Sequence, residues 1–150
     1  MPALSFDSPV GLLRAEEEDG AVTALLFDAP VGRDETPLLL ETKRQLEEYF
    51  SGERRTFDLP LAPKGTEFQK RVWSALCGIP YGETRSYGQT AAAVGNAGAC
   101  RAVGTANHRN PISILIPCHR VIGADGSLGG YGGGLDRKTF LLRLEGVKIK

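Results

Sequence analysis

The chain has 150 residues, 41% of them hydrophobic and 24% charged, with no net charge at pH 7. This composition indicates neither a disordered chain nor a membrane protein, and the length suits one ordinary domain or two small ones. The zero net charge hides a division: residues 1–62 carry 6 Lys+Arg against 13 Asp+Glu, whereas residues 63–150 carry 12 against 5. Only the second part has the basic surplus of a polyanion binder, although mutual attraction of the halves or scattered solvated charge would give the same count. The start, MPALSFDSPVG, lacks the basic and apolar character of a secretion signal, so a cytoplasmic location is expected. Three cysteines (Cys77, Cys100, Cys118) and two histidines, with no C-x-x-C pair, argue against a disulfide framework and a zinc site.

In chain order, ALSFD, GLLRA and AVTALLF read as short strands separated by SPVG and EEEDG. Thr36 is an N-cap with Pro37 at the first helical position, and Leu39, Leu46, Tyr49 and Phe50 recur at helical spacing until Gly52. RTFDL reads as a last strand, and residues 1–62 carry no catalytic motif, which marks a scaffold domain. Past the linker LAPKG, Thr66 and Gln69 form a capping box before an apolar stripe of Phe68, Val72, Trp73 and Leu76. Ser86 and Gln89 repeat that box ahead of YGQTAAAV, which Gly95 ends, and Asn96 is placed to cap a third helix, AGACRAVGTANHR. Two short helices joined by a tight turn suggest a helix-turn-helix. The small residues of the third helix suit either a slim probe of a nucleic-acid groove or close packing on a core.

Asn110-Pro111 stops that helix, ISILIP reads as a buried strand, Asp125-Gly126 as a hairpin turn, and GGYGGG as a flexible loop before a final helix, RKTFLLRLEG. Neither G-x-G-x-x-G nor G-x-x-x-x-G-K-[ST] occurs, so no nucleotide cofactor is expected. Cys118, leaving the apolar run between Pro117 and the cations His119 and Arg120, has the setting that favours a thiolate nucleophile; a buried structural cysteine is the alternative. On an extended backbone His119 would face away from Cys118, so a water or a local turn must connect them, and Glu145 is available to fix the imidazole tautomer.

Taken together, RSYGQ, CRAVGTA, RNP, IPCHRV, GYGGG and LLRLEG, in this order over about residues 64–146, resemble the methylated-DNA–protein-cysteine methyltransferase family. The resemblance implies an α+β protein of two small domains. Residues 1–62 would form a ribonuclease-H-like α/β domain, and residues 63–150 a mostly helical domain with a winged helix-turn-helix-like unit. It implies irreversible, stoichiometric transfer of the alkyl group of O6-methylguanine, and of O4-methylthymine, onto Cys118, with no cofactor and no metal. His119 would act as base through a water, Glu145 would orient it, and Tyr87 would donate toward the leaving guanine. Arg101 would enter the duplex, with Ala102, Thr105 and Asn110 also at the DNA or its hinge. Val121, Tyr131, Gly132 and Gly133 would join Tyr87 around the flipped base. The partner would be double-stranded DNA carrying O6-alkylguanine, met by a monomer or by monomers bound cooperatively along the duplex.

Two departures from the family pattern stand out: GNAGA where a Pro is common, and Gly132 where a Ser is common. Neither removes a reacting group; the looser Gly132 loop would broaden the alkyl range or reduce affinity. Two rival readings are a non-catalytic module that flags alkylated DNA, which would lack the acceptor cysteine, and a cysteine hydrolase built on Cys118, His119 and Glu145.

Overall fold

The computed structural model describes residues 1–149, which divide into two compact units. The first comprises Met1–Lys64 together with Pro111–Leu115. Strands β1 (Ala3–Phe6), β2 (Leu13–Glu18) and β3 (Ala21–Phe27) form an antiparallel sheet in the order β1-β2-β3, with Ala3 opposite Glu16 and Leu13 opposite Phe27. The turn into β3 is made by Asp19 and Gly20, both at positive φ, so β2 runs on through the glutamates that the sequence reading assigns to a loop. Helix α1 (Pro37–Phe50) begins with Thr36 Oγ1 accepting from the Leu39 N–H. It buries Leu39, Leu46 and Tyr49, and beyond it Gly52 takes φ +84°, a conformation natural to glycine.

RTFDL is not a strand. Residues 57–60 lack regular structure, and only Leu61 makes a bridge, parallel to Val22. ISILIP is buried as expected and is not a strand either: Ile112 makes one bridge to Leu25, then Ile114 turns into the left-handed region at φ +70°. The Leu115 N–H donates to the Ser113 carbonyl at 2.8 Å, which closes a γ-turn of the rare, strained hand. Unbroken hydrophobicity reports burial, and here the burial is of a turn.

The second unit comprises Gly65–Asn110 and Ile116–Lys150, the last residue lying outside those described. Helix α2 (Glu67–Cys77) and helix α3 (Tyr87–Ala93) both begin with complete capping boxes, Thr66/Gln69 and Ser86/Gln89. Gly95 ends the second of these at φ +83°. Helix α4 (Cys100–His108) starts later than the sequence reading has it. Its N-cap is Ala99, which offers no side chain, and Asn96 supplies only its carbonyl to the Ala99 N–H. Strand β4 (Arg85–Ser86) pairs in parallel with β5 (Val121–Ile122). Asp125-Gly126 does form a turn, closed by the Gly123 N–H donating to Ser127 O, but no antiparallel ladder extends from it. Helix α5 (Leu135–Leu144) completes the unit. Trp73 of α2 is buried and donates its indole N–H to the Ala106 carbonyl of α4 at 2.8 Å, which fixes the two helices side by side.

Candidate active site

Cys118 is presented by two consecutive local devices. Pro117 sits at φ −80°, ψ 63°, and the Cys118 N–H donates to the Ile116 carbonyl at 2.7 Å, an inverse γ-turn for which the pyrrolidine ring is already set. A single 3-10 turn, Cys118–Arg120, follows at once. Of the two connections the sequence leaves open between Cys118 and His119, a water or a local turn, the structure has a turn here, and it lets Cys118, His119 and Arg120 all be buried together. Two asparagines from the end of α4 hold the turn. Asn110 Nδ2 donates to the Ile116 carbonyl at 2.8 Å and Asn107 Nδ2 to the Cys118 carbonyl at 3.2 Å.

The thiol at rest is not a thiolate. Burial pushes Cys118 up to about 11, against the opposing pull of the Asn110 amide and the Lys138 ammonium. Desolvation therefore outweighs the cationic setting that the sequence reads as favouring a thiolate.

His119 is wholly buried, with Nε2 2.8 Å from Glu145 Oε2. Burial lowers its pKa, against the carboxylate, so the ring is neutral. A neutral ring facing a carboxylate carries its proton on Nε2, which leaves Nδ1 as the acceptor nitrogen. Among the described residues Nδ1 has no hydrogen-bond partner.

Arg120 explains how a carboxylate survives beside that ring. Its Nε donates to Glu145 Oε1 at 2.8 Å and its Nη2 to Oε2 at 2.9 Å, a bidentate pair. Nη1 donates to the Ile79 carbonyl at 2.7 Å, and the guanidinium lies 5.8 Å from the centre of the Tyr81 ring. Burial alone would raise the Glu145 pKa; the hydrogen bonds from His119 and Arg120 outweigh it and bring it down to about 2.

Tyr87, the first residue of α3, is half-buried. Burial raises its hydroxyl pKa and proximity to Cys118 raises it further, against the Gly130 N–H, so the phenol stays protonated. Two glycines lie against its ring, and only the second is needed for space. A Cβ on Gly104 would lie 3.9 Å from the ring, and one on Gly129 would lie 2.9 Å from the hydroxyl. Gly129 also stands at φ +67°, so two independent reasons keep that position a glycine.

Of the other residues singled out by sequence, Val121 and Tyr131 are buried, and Gly132 is exposed with room for a Cβ no closer than 3.4 Å from the His108 carbonyl. Gly133 is half-buried and its carbonyl accepts from Arg137 Nη1 at 3.2 Å. Arg101, Ala102 and Thr105 are exposed on α4, while Val103, Ala106 and Asn107 are buried. Asn110 is half-buried at the end of that helix.

The sequence reading passes over three site residues: Asn107, Gly129 and Lys138. Lys138 Nζ is buried and donates to the carbonyls of Val121, Leu128 and Gly130. A signal for two of them was available. Lys138 shares its helical stripe with Leu141, Leu142 and Glu145, and Asn107 shares one with Val103 and Ala106; a polar residue on a core stripe calls for a buried partner.

Residues 67–147 match the family described as 6-O-methylguanine DNA methyltransferase, DNA binding domain, and residues 5–63 match its ribonuclease-like domain. A methylated-DNA–protein-cysteine methyltransferase of Methanosarcina acetivorans is 54% identical over 94% of this chain and 96% of its own. The constitutive enzyme of that name from Bacillus subtilis is 49% identical over 96% of this chain and 94% of its own. The Mycobacterium tuberculosis OGT, solved in complex with DNA, superposes with a TM-score of 0.90 at 47% identity, over 97% of this chain and 92% of the other. With both domain matches and full-length relatives at this identity, the chain belongs to the methylated-DNA–protein-cysteine methyltransferase family.

Proposed function

We propose that the chain repairs DNA by a single, irreversible transfer of the alkyl group from O6 of guanine to the sulfur of Cys118. The observation that carries this reading is the buried His119–Glu145–Arg120 network, which leaves Nδ1 of His119, the residue next to Cys118 in the same 3-10 turn, without a hydrogen-bond partner among the described residues. Double-stranded DNA carrying O6-alkylguanine is the partner. The DNA-bound structure of the mycobacterial relative, and the Schizosaccharomyces pombe Atl1 complex with DNA containing O6-carboxymethylguanine, 35% identical over 58% of this chain, support that assignment.

In this mechanism the damaged nucleotide is rotated out of the duplex, because its O6 carbon cannot be attacked in line from inside the stack. Arg101, exposed on α4 with Ala102 and Thr105 on the DNA side, occupies the gap. Val121, Tyr131, Gly132 and Gly133 surround the base, and Asn110 is the hinge of the turn. The Cys118 proton passes through a water to His119 Nδ1, so the thiolate exists only while the lesion is bound. Sulfur attacks the alkyl carbon, the S–C bond forms and the C–O6 bond breaks, its electron pair going to the guanine. Tyr87 donates a proton to the guanine, and the imidazolium returns one to the tyrosinate through solvent, so the proton lost by sulfur is the proton gained by the base. The thioether has no hydrolysing partner in the chain, so each molecule acts once.

Incubation with a duplex labelled on the O6-methyl group tests this. One equivalent of label on Cys118 is expected, and none on Cys118→Ser, which should still bind the lesion. Continuous release of product would show a cysteine hydrolase, and tight binding without transfer a flagging module.

A further inference from the structure

One fully buried cation has no part in that chemistry. Lys138 is completely shielded from solvent, and among the described residues its Nζ meets no carboxylate but the carbonyls of Val121 at 2.7 Å, of Gly130 at 3.2 Å and of Leu128. An ammonium has three N–H donors and these are three acceptors, one for each. A neutral amine has two and would strand a carbonyl. The acceptors span residues 121–130, whose only regular structure is the two-residue β5 at its start. One end of the segment follows directly on the Cys118–Arg120 turn, and the other is Gly129-Gly130, of which Gly129 lies so close to Tyr87 that a Cβ there would stand 2.9 Å from the hydroxyl. A single side chain on a rigid helix therefore joins the start of this segment to its end.

We propose that Lys138 is a positioning residue. Its ammonium clamps residues 121–130 so that Gly129 holds the Tyr87 hydroxyl in place beside Cys118, and loss of its proton loosens that wall. The proposal deepens the reading of Cys118 as alkyl acceptor and rests on it. Burial brings Lys138 down to about 8, opposed by Cys118, and the titratable groups within electrostatic reach are Cys118 and His119 of the turn. The clamp is therefore closed at neutral pH and opens as pH rises through about 8.

The test is single-turnover transfer from duplex DNA containing O6-methylguanine, at saturating DNA, from pH 6.5 to 9.5, for the wild type and Lys138→Met. The wild-type rate is expected to fall above pH 8, whereas Lys138→Met should be slower at pH 7 by about tenfold or more, since misplacing a reacting group by even 1 Å costs on that scale, and should lack the descending limb. Lesion binding, read in the Cys118→Ser background, should change by a smaller factor than the transfer rate does, since Lys138 also holds Val121. A folded Lys138→Met that transfers at the wild-type rate with the wild-type pH profile overturns the clamp. Should that variant not fold, 13C NMR of the lysine ε-carbons in the wild-type protein decides. One lysine titrating near pH 8 is expected, and titration of every lysine above about pH 10 overturns the proposal. A wild type that transfers no label at any pH would instead sink the acceptor reading, and the NMR titration would still judge the lysine.

Discussion

The imidazole Nε2 of His119 lies 2.8 Å from Oε2 of Glu145, with both side chains completely shielded from solvent. The same carboxylate receives two hydrogen bonds from Arg120, so one buried anion sets the tautomer of the imidazole and neutralises a buried guanidinium. Removing its charge has separable consequences for rate and for stability.

Glu145→Gln is expected to slow transfer by about 10²–10⁴-fold, because an amide can accept the wrong imidazole tautomer. It should also destabilise the fold by about 3–5 kcal/mol, because the Arg120 charge is left unpaired in the interior. Adding Arg120→Met should recover part of the stability and none of the rate. Urea unfolding and single-turnover kinetics on the two variants read these effects apart, and joint recovery would show that the carboxylate matters only for folding.

Gly129→Ala should reduce transfer without abolishing DNA binding. Its Cβ would stand 2.9 Å from the Tyr87 hydroxyl at a backbone φ of +67°, so the phenol must move or the loop must strain. A stability loss of about 1–2 kcal/mol is expected from the conformation alone. Gly130→Ala, where a Cβ meets nothing within 4 Å, is the control, and equal effects at both positions would remove the steric explanation.

Acid should unfold the protein through its buried site. The His119 pKa is lowered in the fold, so its contribution is complete above the ordinary value of 6.5 and is lost as pH falls below it. Glu145 lies at about 2 against 4.5, so its contribution is present above 4.5 and lost as pH falls toward 2. The melting temperature should thus drop in two stages, the first below pH 6.5 and the second below 4.5. Replacing the imidazole, as in His119→Gln, should erase the first stage; its persistence would assign it elsewhere.

Affinity for undamaged duplex should fall steeply with salt, since residues 63–150 hold 12 Lys+Arg against 5 Asp+Glu. Arg101→Ala should lower transfer while changing the salt slope little, the outcome expected of the proposed role in which this side chain enters the base stack instead of neutralising phosphate. A filter-binding titration from 50 to 200 mM salt, roughly the range over which phosphate contacts dominate, provides the check.

Local chemistry made much of this fold legible. The capping pairs Thr66/Gln69 and Ser86/Gln89 and the Thr36-Pro37 start each predicted a helix that is present, because a cap is decided within four residues. ISILIP and RTFDL failed for the opposite reason. The hydrophobicity of ISILIP reports burial, and whether a buried segment finds a ladder partner depends on residues far away in the chain, such as Leu25, while RTFDL is exposed or half-buried along its length. The site divides the same way. Cys118, His119 and Glu145 could be named from motif and resemblance, but the protonation of the thiol could not, because desolvation is a property of the packed interior and not of the neighbours in sequence. Lys138 stayed hidden because its partners are main-chain oxygens, which leave no mark in the amino-acid code.

Cys118 is only 4% exposed and keeps its proton at rest, so it is a poor target for peroxides and for small alkylating agents dissolved in water, which react with exposed thiolates. For a molecule that can react once, this reserve matters as much as reactivity does. A sulfur that, as proposed, ionises only after a lesion has been seated is not squandered on the solvent, and every copy stays ready for the one encounter in which it is consumed.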